Sequence, residues 1–167
     1  MPDSSYKRTT LTVLMSPDMA NFSGHVHGGA MLRLLDQVAY ACAARYSGCY
    51  VVTASVDQVS FREPVHVGEL VTFLASVNHT GNKSMEVGVR VEAENIRARS
   101  KRHVITCYFT MVAVDEDGKS VAVPQVSLDG PEDQRRWEAA RLRREFRKEV
   151  ERHSAEIRQQ VRRGDQA

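Results

Sequence analysis

Residues 30–46 read AMLRLLDQVAYACAARY, and the reading of this run decides what kind of domain can be built around it. Alanine, leucine and methionine dominate and no proline interrupts, so the run favours a helix of four to five turns. Its end is expected at Ser47-Gly48, where glycine suits a left-handed C-cap. Met31, Leu32, Leu34, Leu35, Val38, Ala39, Ala41, Cys42 and Ala43 cover most of the helix circumference. A helix apolar nearly all round is expected to be buried nearly all round. Arg33, Asp36, Gln37 and Arg45 are the exceptions, and each needs a reason to be there.

The flanks of this helix read differently. Upstream, RTTLTVLM (8–15) is β-branched and suits a strand, and SPDMANFSGHVHGG (16–29) is a loop of Ser, Pro, Asp, Asn and Gly. Downstream the pattern is β to the end of the domain. YVVTASVDQVSF (50–61) reads as one strand alternating from Ala54, with a break at Pro64. ELVTFLASVNH (69–79) and SMEVGVRVEAENI (84–96) are strands joined by the turn Thr80-Gly81-Asn82-Lys83, with Met85, Val87, Val89 and Val91 on one side of the second. HVITCYFTMVAV (103–114) is the last, stopping at the acidic turn DEDG. One long helix against a single antiparallel sheet is an α+β layout.

The texture changes near Pro131. Residues 132–167 hold 11 Lys and Arg against 8 Asp and Glu, a net of +3, while the rest of the chain carries a net of −1. Residues 1–130 therefore read as the folded domain and 131–167 as an Arg/Glu-rich helical extension. In the extension Leu142, Phe146, Val150, Ile157 and Val161 share a face, pointing to a helix lying on its own domain or on a neighbouring subunit. A basic surface for an acidic partner is the second reading.

Composition excludes several classes. The net charge of +2 is too small to imply nucleic-acid binding, and no stretch approaches the ~20 apolar residues of a membrane span. The start lacks a secretory signal pattern. Three cysteines without CxxC spacing give neither a disulfide framework nor a zinc site, so a cytoplasmic location is expected. His25 and His27 have no carboxylate cluster at ligand spacing, and no metal centre is expected. They read as loop residues that hydrogen-bond backbone.

The chemistry concentrates in 21–36. Gly28 and Gly29 stand at the mouth of the helix, where unpaired amides and the helix dipole suit an oxyanion. Their N–H groups are a candidate oxyanion hole. Asp36 lies two turns in, among Leu34, Leu35 and Val38, where a carboxylate short of solvating partners is a candidate base or nucleophile. Pairing of Asp36 with Arg33, or exposure at a wet subunit interface, is the competing reading.

NFSGHVHGGAMLRLLD (21–36), VVTASVDQVSFREPVHVGELV (51–71) and TGNKSMEVGVRV (80–91), in this order and spacing, resemble the hotdog-fold acyl-CoA thioesterases. Within these the resemblance is to the bacterial single-domain relatives of the brain-type cytosolic acyl-CoA hydrolases. It covers roughly residues 9–123 and leaves the extension aside. It implies a central helix wrapped by a five-stranded antiparallel sheet, with two such domains pairing through their sheets and three pairs forming a hexamer.

The resemblance further implies hydrolysis of fatty acyl-CoA to free fatty acid and CoA. No cofactor is expected, since coenzyme A belongs to substrate and product. Asn21 and Asp36 match the family's catalytic Asn and Asp, which meet across the dimer interface. Asp36 is then general base or nucleophile, and Asn21 orients water or substrate. Thr53 adds a hydroxyl near the site. Arg62, Lys83, Ser84 and Arg90 are candidate contacts to the CoA phosphates. Met31, Leu35 and Val38 are candidate liners of the acyl site. A hotdog dehydratase and an acyl-CoA sensor are the alternatives.

Overall fold

The structure is a computed structural model and describes residues 4–164. By its contacts the chain divides into two units, Met1–Ser127 and Leu128–Ala167. Among the described residues the first holds one α-helix, α1 (Gly28–Ser47), two short 3-10 turns (Ser4–Lys7 and Pro17–Met19), and six strands: β1 (Arg8–Leu14), β2 (Tyr50–Val56), β3 (Ser60–Phe61), β4 (Leu70–Thr80), β5 (Ser84–Asn95) and β6 (Ser100–Val114). The strands form one antiparallel sheet ordered β1-β4-β5-β6-β2, with the short β3 also pairing β6. This is the expected α+β hotdog layout, a central helix against a five-strand path.

Alternation carries the core as expected on β5, where Met85, Val87, Val89 and Val91 are all buried. They meet Phe73, Val71, Ile105, Cys107, Phe109 and Met111 from the neighbouring strands, and Leu35, Val38, Ala39 and Cys42 from α1. The helix ends where glycine allows it: Gly48 is left-handed at φ 69° and its N–H donates to Ala44 O. Arg45 has its reason too, donating to Thr9 Oγ1 at 3.0 Å and lying over the Tyr6 ring.

Two expectations are corrected. Residues 50–61 are two strands, because Ala54 bulges out of the β2–β6 register and the Asp57 amide turns to Tyr108 O, which ends the ladder before β3. The helix, in turn, is not buried all round. Met31, Leu34, Leu35, Val38, Ala39, Cys42, Ala43 and Tyr46 face the sheet, whereas Leu32, Asp36 and Tyr40, one turn apart, are exposed. A single sheet covers only one side of a helix; in one chain the other side faces water.

The second unit is dominated by α2 (Pro131–Gly164). Proline opens it, where its missing N–H costs no hydrogen bond, and Glu132 and Asp133 place negative charge on the positive end of the dipole. Asp133 Oδ2 accepts from the Asp129 amide. Leu142, Phe146, Val150, Ile157 and Val161 form an exposed stripe. No helix among the described residues is long and apolar enough to cross a membrane.

Candidate active site

The loop before α1 is held by its own asparagine. Asn21 Oδ1 accepts from the Ser23 amide at 2.9 Å and the His25 amide at 3.1 Å. The Asn21 amide donates to His25 O at 2.7 Å, and the Gly24 amide to Asn21 O at 3.0 Å. Gly24, at φ 77°, supplies the left-handed corner of this turn. With its oxygen engaged twice, the Asn21 carboxamide keeps its NH2 group as a donor.

His27 caps α1. Its Nδ1 accepts from the Gly29 amide at 2.8 Å, so this histidine bonds backbone as its loop position suggests. The consequence corrects the two-amide oxyanion hole: the Gly29 N–H is already spent on the cap. The Gly28 amide donates to no group among the described residues and is the one left free. A Cβ on Gly29 would sit 3.1 Å from His27 Nδ1, so glycine there lets the ring close on the helix end.

A cleft of about 350 Å³ opens beside this helix start. Asn21, His25 and Val26 line it from the loop, Gly28 and Met31 from α1, and Phe61 through Val65, with Ile105, form the opposite wall. Of the expected acyl-site liners only Met31 reaches it; Leu35 and Val38 are buried in the core.

Asp36 is not sunk among apolar neighbours. It is exposed on the outer side of α1, where Thr53 Oγ1 donates to its Oδ1 at 2.7 Å. It therefore has a hydroxyl partner rather than the Arg33 considered from the sequence. Neither Asp36 nor Thr53 lines the cleft that holds Asn21 and Gly28 in the same chain. Leu32 and Tyr40 are exposed one turn to either side of Asp36 on the helix, beside exposed Arg33 and Gln37, and Tyr50, Val52 and Val56 are exposed on the edge strand β2. Tyr40 and Tyr50 meet edge to face at 6.0 Å.

The four candidate CoA contacts do not gather. Arg62 lines the cleft. Arg90 is engaged by Glu92 at 2.9 Å and His103 at 3.3 Å, and Lys83 Nζ donates to Ser120 Oγ at 3.2 Å. Arg90 pairs with Thr106 and Ser84 with Val112, six residues apart on β6, or ~20 Å along a strand. Among the described residues no group of three or more His, Cys, Asp or Glu is arranged to hold a metal ion.

Sequence reasoning missed an ionic cluster behind the cleft wall. Arg102 forks onto Glu69, with Nη1 to Oε1 at 2.6 Å and Nη2 to Oε2 at 2.9 Å. It also donates from Nη2 to Pro64 O at 2.6 Å, and its Nε pairs with Glu63 at 3.0 Å. Burial pushes the Glu69 carboxyl up, but the Arg102 fork and the His66 amide outweigh it and hold the group below its ordinary value. The Glu69 hydrogen bond in turn raises Arg102. A glutamate directly ahead of the apolar run from Leu70 was the signal the sequence offered.

A helix wrapped by one antiparallel sheet is the frame of a known class. The chain is a member of the thioesterase superfamily, whose family model matches residues 23–99. Protein VdlD of Helicobacter pylori is 47% identical over 137 residues, 82% of this chain and 78% of that one. A solved apo-hexameric acyl-CoA thioesterase is 38% identical, with a TM-score of 0.86 over 90% of this chain and 96% of its own.

The acyl-CoA hydrolase of Staphylococcus aureus, solved with butyryl coenzyme A and coenzyme A, is 27% identical, with a TM-score of 0.85 over 95% and 96%. Alanine variants of that enzyme at an asparagine, an aspartate and a threonine match at 26–27% identity and TM-scores of 0.81–0.87, over 92–95% of this chain and 94–95% of theirs. The substituted positions are 15 apart from asparagine to aspartate (28 to 43) and 17 from aspartate to threonine (43 to 60). Asn21, Asp36 and Thr53 have the same two spacings.

Proposed function

We propose that this chain hydrolyses acyl-CoA to the free acid and CoA, with Asn21 of one protomer and Asp36 of its partner completing each site. The observation that carries the reading is the Asn21–Asp36–Thr53 set, spaced as are the three residues substituted in the S. aureus hydrolase. A thioester carbonyl seated in the cleft would meet two donors, the Asn21 NH2 group and the Gly28 amide. Both gain strength as the carbonyl becomes a tetrahedral oxyanion, so they favour the transition state over the ground state. Asp36, aligned by the Thr53 hydroxyl, then activates water or attacks as nucleophile. The CoA thiolate leaves readily, and the reaction requires no strong acid on the protein.

The trans arrangement rests on separation and surface. Asp36 lies outside the cleft of its own chain, on a helix face that also exposes Leu32 and Tyr40, and the edge strand β2 exposes Tyr50, Val52 and Val56. Burying that surface against a second copy supplies the hydrophobic drive for pairing along the edge strand β2. Such a dimer is a natural unit of the hexamers known among relatives. Arg62 is the CoA contact retained at the cleft mouth. Thiol release from a panel of acyl-CoAs of increasing chain length tests the reading; purified protein silent across the panel would overturn it.

A further inference from the structure

We propose that Arg102 is a positioning residue that fixes the Asn21 turn through the cleft wall, a role that deepens the hydrolase reading and rests on it. The wall and the loop are joined by backbone. The Val26 amide donates to Val65 O at 2.8 Å, His25 and His66 form a bridge, and their rings lie 5.0 Å apart. The His25 amide is one of the two that hold Asn21 Oδ1. Whatever places residues 63–66 therefore places Asn21.

Arg102 places them from three directions. Its guanidinium binds the Pro64 carbonyl, the Glu63 carboxylate and both oxygens of Glu69. Glu69 Oε2 also accepts from the His66 amide at 2.9 Å. Glu69 is buried, so the pair is poorly screened and its geometry is well determined. A bulge makes this possible: Val104 is the extra residue between the Val91–Ile105 and Glu92–His103 pairs, and its carbonyl accepts from the Arg62 amide at 2.8 Å. The planar fork is essential to the idea, since one ammonium cannot reach Glu63, Pro64 and Glu69 together.

The test compares wild type with Arg102→Lys, Glu63→Gln and, as a control, Val87→Ala, a buried residue of β5 remote from the clamp. Two readouts are taken: steady-state acyl-CoA hydrolysis and hydrogen exchange of the Ser23 and His25 amides. Arg102→Lys is expected to lower kcat about ten-fold or more, with KM changed less than about two-fold, and to speed exchange of both amides, because a small misplacement of Asn21 spoils the carbonyl contact. Glu63→Gln, which leaves Glu69 paired and the fold intact, is expected to do the same more weakly.

Val87→Ala is expected to lower the thermal midpoint while leaving kcat and both exchange rates unchanged. Unchanged exchange and kcat in Arg102→Lys would overturn the proposal, as would an equal kcat loss in Val87→Ala. If the wild-type chain releases no thiol, the hydrolase reading falls, and the exchange rates alone still decide the clamp.

Discussion

Thr53 Oγ1 and Asp36 Oδ1 are 2.7 Å apart, a short hydrogen bond that ties the edge strand to the open side of the central helix. It engages one carboxylate oxygen of Asp36, and in the proposed reaction the other oxygen acts on water or the thioester. Asp36→Asn is expected to cut kcat by about 10³-fold, the scale of a lost general base or nucleophile. Thr53→Ala should cost about ten-fold, one aligning hydrogen bond, and Thr53→Ser should restore most of it. Thiol-release kinetics on folded variants check all three.

The proposed reaction gives Asn21 a second duty beside its hold on the turn, and one substitution separates the two. Aspartate keeps the acceptors used by the Ser23 and His25 amides but lacks the NH2 donor. Asn21→Asp is expected to keep the wild-type thermal midpoint within a few degrees while losing about 10²-fold or more in kcat. Asn21→Ala should lose both activity and the ordered turn. A melting curve beside a kinetic assay reads the difference.

Mixing tests the shared site. Inactive Asn21→Ala and Asp36→Ala proteins, combined under conditions that exchange subunits, are expected to recover part of the wild-type rate, because one of the two sites in a hybrid pair regains both groups. Absence of recovery in proven hybrids would assign both residues to one chain.

Acid should loosen the cleft wall. The folded state holds the Glu69 carboxyl below the ordinary 4.5, so the stability this group contributes is present above that value and is lost as pH falls through its folded value. Thermal midpoints measured downward from pH 6 are expected to drop more steeply for wild type than for Glu69→Gln. The variant should start lower at pH 6, where it has lost the ion pair.

Thiols should divide by burial. Desolvation pushes Cys42 up to about 11 and Cys107 up to about 12, so neither offers thiolate near neutrality. Cys49 is only half-buried. An alkylating reagent at pH 8 is expected to modify one cysteine in the folded protein and three after unfolding. A second fast-reacting thiol would contradict this packing.

Local pattern carried the frame. The helix start at the glycines, its end at Gly48, the β5 alternation and the turn before Ser84 are all decided by residues within a few positions of each other. Of the candidate site, the resemblance marked Asn21, Asp36 and Thr53, because their motifs lie in short stretches of sequence. What stayed hidden depends on contacts distant in sequence. The bulges at Ala54, Asn78 and Val104 each flip the parity of a strand without a glycine or proline to announce it. The Arg102–Glu69 fork joins residues 33 apart. The Gly29 amide was claimed by a histidine ring whose orientation no spacing rule specifies, and the exposure of Asp36 follows from a sheet that covers only half a helix.

That uncovered half has a kinetic corollary. If a working centre exists only where two molecules touch, specific activity is a function of enzyme concentration: dilution below the dissociation constant should make turnover per mole decline, and crowding the solution should return it.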